Sequence, residues 1–146
     1  PRDVVLSAFR RQFTINATTV ELMTPPGAAE LYDAVMDLME IYQEKLDLDW
    51  RVQGYEALVG DFDGETRALC DFAGLDWRPG LADFARRAGA VATPSGAQLA
   101  RGLNSEGVGH WRRYRDQLAP VAPRLTPWVE RFGYGTAGDL RTEPKP

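Results

Sequence analysis

Apolar residues recur at helical spacing along most of the chain and at strand spacing in one short stretch. Asp3 stands where a cap belongs, and the helix it predicts runs to about Phe13, with Val5, Ala8, Phe9, Gln12 and Phe13 on one side. Residues 14–27 combine β-branched side chains with two prolines and a glycine and read as an irregular loop. The clearest helix is predicted over 28–46, where Leu31, Val35, Leu38, Tyr42 and Leu46 form a stripe that Met36 and Met39 widen. Trp50 to Tyr55 alternates and predicts a strand. A helix over about 63–73 follows, with Leu69, Cys70, Phe72 and Ala73 on its apolar side and Gly74 as its stop. Pro79 opens another, to about Ala88. Residues 89–107 are broken by Gly89, Pro94, Gly96, Gly102 and Gly107 and predict a long loop, a form that is usually functional when ordered. A helix from about Val108 carries His110 to Tyr114. The last is interrupted by prolines and places Leu118, Val121, Leu125, Trp128, Val129 and Phe132 before Gly133.

The pattern is mostly α with one or two strands. A single strand is not a sheet, so the partners of 50–55 are expected outside this chain. The chain opens at Pro1 without a Met or a leader-like apolar region, which fits a piece of a longer protein whose domain covers 1–138. Residues 139–146 read as a polar, proline-containing tail.

Composition narrows the classes. The 146 residues hold 44% apolar and 26% charged residues, a soluble globular balance. No run approaches the ~20 apolar residues a membrane span needs, and the expected compartment is the cytoplasm. One Cys and one His exclude an internal disulfide and argue against a zinc site. Cys70 reads as a small hydrophobe, and Met23, Met36 and Met39 as packing. Trp111 and Trp128 read as core anchors.

The net charge of −4 hides an asymmetry. Residues 21–76 carry fourteen acids against Lys45, Arg51 and Arg67, a net of −11, which leaves +7 for the rest. Arg2, Arg10 and Arg11 at one end, and Arg86, Arg87, Arg101, Arg112, Arg113 and Arg115 toward the other, would make an anion site if they met. The negative total and short basic stretch weigh against nucleic acid.

Three segments could supply such a site. Ser7 and Arg11, four apart, project from one face of the first predicted helix and offer a hydroxyl and a guanidinium. Tyr55 ends the predicted strand. The loop Thr93 to Asn104 is rich in hydroxyls and glycine, whose backbone N–H groups can approach a phosphate, and it adds Gln98 and Arg101.

These stretches resemble the sulfotransferases. Pro1-Arg2-Asp3-Val4-Val5-Leu6-Ser7-Ala8-Phe9 is similar to that family's 3′-phosphate-binding stretch, and Tyr55-Glu56-Ala57-Leu58-Val59 to its Tyr-Glu-Asp-Leu-Val segment. The run from Leu69 to Trp77 resembles the helix that follows. Ser95 to Gln98, then Ser105-Glu106-Gly107-Val108-Gly109-His110-Trp111-Arg112-Arg113-Tyr114, resembles the C-terminal donor-binding loop and its Trp-Arg-x-Tyr helix. The likeness is to the subgroup of protein-tyrosine sulfotransferases and bacterial enzymes fused to tetratricopeptide repeats, and it covers nearly the whole chain in order.

The resemblance implies the C-terminal part of an α/β, P-loop-like fold. It implies transfer of a sulfuryl group from 3′-phosphoadenylyl sulfate (PAPS) to a hydroxyl or amine of a protein, sugar or small molecule, without a metal. Ser7 falls on the serine that holds the donor's 3′-phosphate and Arg11 on a second basic position. Tyr55 falls on the tyrosine near the adenine, and Ser95 on a serine that stabilises the transferring group. Ser95, Gly96, Ala97, Gln98, Leu99, Ala100, Arg101, Gly102, Leu103 and Asn104 fall on the loop that wraps the nucleotide, within a donor-binding loop of 93–107, and His110 falls where a lysine contacts it. Histidine is the weaker cation, with a reference pKa of ~6.5. Arg101 stands one place later than the bacterial pattern has it. The loop that grips the 5′-phosphosulfate and the general base have no counterpart here, so this chain alone is expected to be inactive. A homo-oligomer is compatible with all of this. The reading from another class is a non-catalytic helical module that binds a protein partner through the acidic helix 28–46.

Overall fold

The computed structural model describes residues 1–11, 13–81 and 102–135. They divide into two compact units, one built from 1–47 with the chain from Gly109 onward, the other from 48–108.

The first unit packs α1 (Arg2–Arg10) and α2 (Pro25–Lys45) against a broken C-terminal helix: α5 (Arg115–Leu118), a 3-10 turn (Ala119–Val121) and α6 (Ala122–Arg131). The break is the one the prolines predict; Pro120 and Pro123 cannot donate to a continuous ladder. Val5, Leu6, Ala28, Ala29, Leu118, Val121 and Leu125 form the core, with Leu22, Tyr32, Trp111 and Tyr114 packed around it. Trp128 is buried as well, and Trp111 half-buried, so both indoles anchor this unit.

Helix α2 begins three residues earlier than its apolar pattern suggests. Thr24 caps it by accepting from the Gly27 N–H at 3.1 Å, and prolines are welcome in a first turn, where an N–H has no partner to lose. Its sides are also exchanged. Ala28, Ala29 and Tyr32 face the core, whereas Val35, Leu38, Tyr42 and Leu46 of the expected stripe are exposed. The face toward α6 is acidic instead: Asp33 and Glu30 pair with Arg124, and Glu40 with Arg131. Met23 is exposed rather than packed.

Helix α1, in contrast, is shorter than expected. It stops at Arg10, and Arg11 is its extended cap, with its N–H on the Ala8 carbonyl. Val5 and Leu6 turn inward, while Phe9 and Phe13 are exposed. Beyond it Asn16 folds the chain back, its Oδ1 accepting from the N–H groups of both Thr18 and Thr19 at 2.9 Å.

The second unit holds α3 (Tyr55–Gly60) and α4 (Phe62–Ala73). Asp61 caps α4 through the Gly64 N–H, and Gly74 ends it in the left-handed conformation, as its sequence predicts. The expected strand is absent: no strand forms among the described residues. A strand exists only in a ladder, and here residues 51–53 are tied by side chains, with Arg51 and Gln53 both donating to Glu65. Tyr55 therefore opens a helix rather than ending a strand. Thr66, the buried polar residue, accepts from the Trp77 indole at 3.0 Å and donates to the Phe62 carbonyl at 2.7 Å. The Arg67 guanidinium lies 3.5 Å over the Trp77 ring. Cys70 is half-buried with a free thiol. Pro79 and Gly80 form a turn rather than a helix start, and residues 82–88 of the helix expected there lie outside the described residues, as do 89–101 of the loop and the tail 139–146.

Candidate functional site

Asp3 organises the first unit's charged surface. It sits in the first turn of α1, and its carboxylate accepts from the backbone N–H of Gly109 at 2.8 Å and of Trp111 at 2.7 Å. The sequence reading gave Asp3 to its own helix. It caps a different one, the 3-10 helix His110–Tyr114, which starts after Gly109 turns the chain at φ +69°. Val108 is therefore not a helix start. Two strong bonds from an ionised acceptor hold 109–111 against α1.

That latch gathers cations around two aromatic rings. The Arg2 guanidinium stacks 4.3 Å from the centre of Trp111, and Arg112 approaches the same ring at 5.5 Å. Burial, and then the nearby charge of Arg112, pull the Arg2 pKa below its ordinary value, partly offset by Asp3. Arg10 lies 5.3 Å from the centre of Tyr114, and its Nη1 is 3.4 Å from Nε2 of His110. The His110 ring also stands 5.7 Å from Tyr114. Arg2 and Arg10 thus meet Arg112 and His110 around these rings, while Arg86, Arg87 and Arg101 lie outside the described residues.

Ser7 is exposed on α1, and Arg11 half-buried just past its end. The helical argument that put these two on one face does not apply, because Arg11 is not helical. It is Arg10, which the sequence offers only as one of several N-terminal arginines, that reaches the histidine. The signal was present in the run from His110 to Tyr114, which offers two aromatic faces to any guanidinium nearby.

In the second unit the Tyr55 hydroxyl donates to the Asn104 carbonyl at 2.7 Å, so two of the expected nucleotide-contacting positions are joined. Asn104 also shapes its own turn, donating to the Gly102 carbonyl and accepting from the Glu106 N–H. Gly102 has φ +81°, a conformation glycine adopts without strain. Leu103 is half-buried between them. Ser95, Gly96, Ala97, Gln98, Leu99, Ala100 and Arg101 lie outside the described residues.

No group of three His, Cys, Asp or Glu side chains among the described residues could hold a metal ion, and no helix among them is long and apolar enough to cross a membrane. No family model, curated protein or solved structure matches the chain.

Proposed function

We propose that the chain is the C-terminal, donor-binding part of a PAPS-dependent sulfotransferase. The observation that supports this reading is the Asp3 latch. It ties the stretch that resembles the family's 3′-phosphate-binding segment to residues 109–111, at the start of the segment that resembles its donor-binding Trp-Arg-x-Tyr helix. The Tyr55–Asn104 bond does the same for two positions assigned to the nucleotide in the other unit. The donor set also suits the ligand: guanidinium forks, an imidazole and an exposed serine hydroxyl match phosphate oxygens.

PAPS would supply the sulfuryl group. In this reading Ser7 and Arg11 hold its 3′-phosphate, and His110 contacts the nucleotide. Ser95 and Arg101 belong to the loop that wraps it, and Ser95 donates to the equatorial oxygens that gain charge as the group transfers. The acceptor's hydroxyl or amine and the base that deprotonates it belong to sequence outside this chain. Adenosine 3′,5′-bisphosphate binding by calorimetry tests the assignment. Ser7→Ala and Arg11→Ala should each weaken it by ~1.5–3 kcal/mol, the worth of a charged hydrogen bond. Unchanged affinity in both removes the reading.

A second reading rests on α2. Val35, Leu38, Ile41, Tyr42 and Leu46 leave an exposed apolar face, which suits a helical interaction module. It predicts that the chain does not bind the bisphosphate, and the same calorimetry separates the two.

A further inference from the structure

We propose that Arg10 and His110 form a proton-linked site for a tetrahedral oxyanion, a phosphate or sulfate group either free or carried on a nucleotide. The donor reading above gives Arg10 no part and uses His110 only as a cation, so this inference stands on its own geometry. A guanidinium has donors and no acceptor. Arg10 Nη1 stands 3.4 Å from His110 Nε2, a contact that a neutral ring can accept in the tautomer that leaves the Nε2 lone pair free. The separation is long for a hydrogen bond, and the contact is weak and easily opened.

Protonating His110 would set one donor against another. Other charged groups lie on the segments around it. Helix α1 carries Arg2 and Arg10 with Arg11 just past its end, the ring's own segment carries Arg112 and Arg113, and α5 carries Arg115. Against them stand Asp3, already committed to the Gly109 and Trp111 N–H groups, and Asp116, which pairs with Arg115 at 3.8 Å. Tyr114 packs on both His110 and Arg10 and contributes a ring face. A doubly charged oxyanion reverses the balance. It accepts from Arg10 Nη1 with one oxygen and from a protonated Nε2 with another, so anion and proton each favour the other's binding.

His110 is the only histidine in the chain, so its ring proton signals can be followed alone by NMR. In sulfate, compared with chloride at matched ionic strength, its titration midpoint should rise by about one unit. Linkage makes that about tenfold tighter sulfate binding to the protonated form. Arg10→Gln should abolish the difference between the two salts, and Arg10→Lys should keep most of it. Arg78→Gln, which removes the same charge elsewhere on the exposed surface, should leave it intact. Near-ultraviolet circular dichroism checks that each variant keeps its fold. Equal midpoints in sulfate and chloride overturn the proposal. So does a sulfate shift that survives in Arg10→Gln, because it places the anion elsewhere. Adenosine 3′,5′-bisphosphate distinguishes the sources. Half-saturation well below that of sulfate assigns the site to a nucleotide phosphate, and equal potency assigns it to a free oxyanion. Both leave the Arg10–His110 site standing, and only the second counts against the donor reading.

Discussion

Asp3 and Trp111, 108 positions apart, are joined by a 2.7 Å bond from the indole residue's backbone N–H to the aspartate's Oδ1. The other carboxylate oxygen takes the Gly109 N–H, so one side chain fixes both ends of a tight turn. Asp3→Asn keeps one acceptor but turns an N–H₂ toward the other donor. It should cost ~1.5–3 kcal/mol, the range for a hydrogen bond to a charged group. Asp3→Ala should cost more and should raise amide exchange at 109–111 selectively. Urea unfolding with exchange measured by NMR checks both, and unaltered protection at Gly109 would remove the latch from this account.

Asp33 does for α2 and α6 what Asp3 does for α1, but its partners are unequal. Its Oδ1 accepts from the Trp128 indole at 2.7 Å, and Trp128 is buried. Its Oδ2 faces Arg124 at 3.1 Å, and that arginine is about half exposed. Asp33→Ala leaves a buried indole N–H unsatisfied and should destabilise by ~1–3 kcal/mol. Arg124→Ala removes only a solvated ion pair and should cost ~0–1 kcal/mol. Denaturant midpoints for the two variants should therefore be well separated; equal losses would mean that the ion pair, not the indole, holds the helices.

Gly27 is set by close approach. A Cβ there would fall against the Glu21 carbonyl oxygen, with Thr24 Oγ1 at 3.1 Å. Backbone cannot swing aside as a side chain can, so Gly27→Ala should behave as overpacking and cost ~1–3 kcal/mol despite alanine's better helix propensity. Gly60→Ala, with open space around it, should be neutral or slightly stabilising in the same thermal melts.

Local chemistry was legible in the sequence where it acts locally. Gly74 as a stop and the proline break before α6 follow from backbone conformations that few residues can adopt. What depended on distant residues was not legible. The stripe of α2 has the period of a buried face, yet period fixes only which residues share a side. Which side is covered depends on what packs there, and in this unit the covered side is that of Ala28, Ala29 and Tyr32, while the acids of α2 meet Arg124 and Arg131 of α6. Alternation at 50–55 fits a pleated strand, but the ladder that makes a strand is a second chain segment, and side-chain bonds to Glu65 take its place. The same holds for the site. Ser7, Arg11 and Tyr55 stand out by residue type and His110 by the resemblance along the chain, whereas the Arg10–His110 contact requires knowing that Asp3 reaches across to residue 109.

Tyr32 makes the stability of the first unit depend on alkaline pH. It is half-buried against the core, and burial pushes its phenol pKa up, since the phenolate is the form that loses most on leaving water. The folded pKa thus lies above the unfolded value of about 10. Below pH ~10 both states hold the proton and the contribution is fully present. As pH climbs from there through the raised folded pKa, the unfolded chain ionises first and stability falls. Tyr32→Phe removes that group and should flatten the fall, while costing the wild-type packing little because the ring remains. Unfolding free energies measured at intervals from pH 8 to about 11 should show the two proteins parallel at the acid end and diverging at the alkaline end, with the variant the more stable relative to its own pH 8 value. Parallel curves throughout would mean that the hydroxyl stays in water in the folded state.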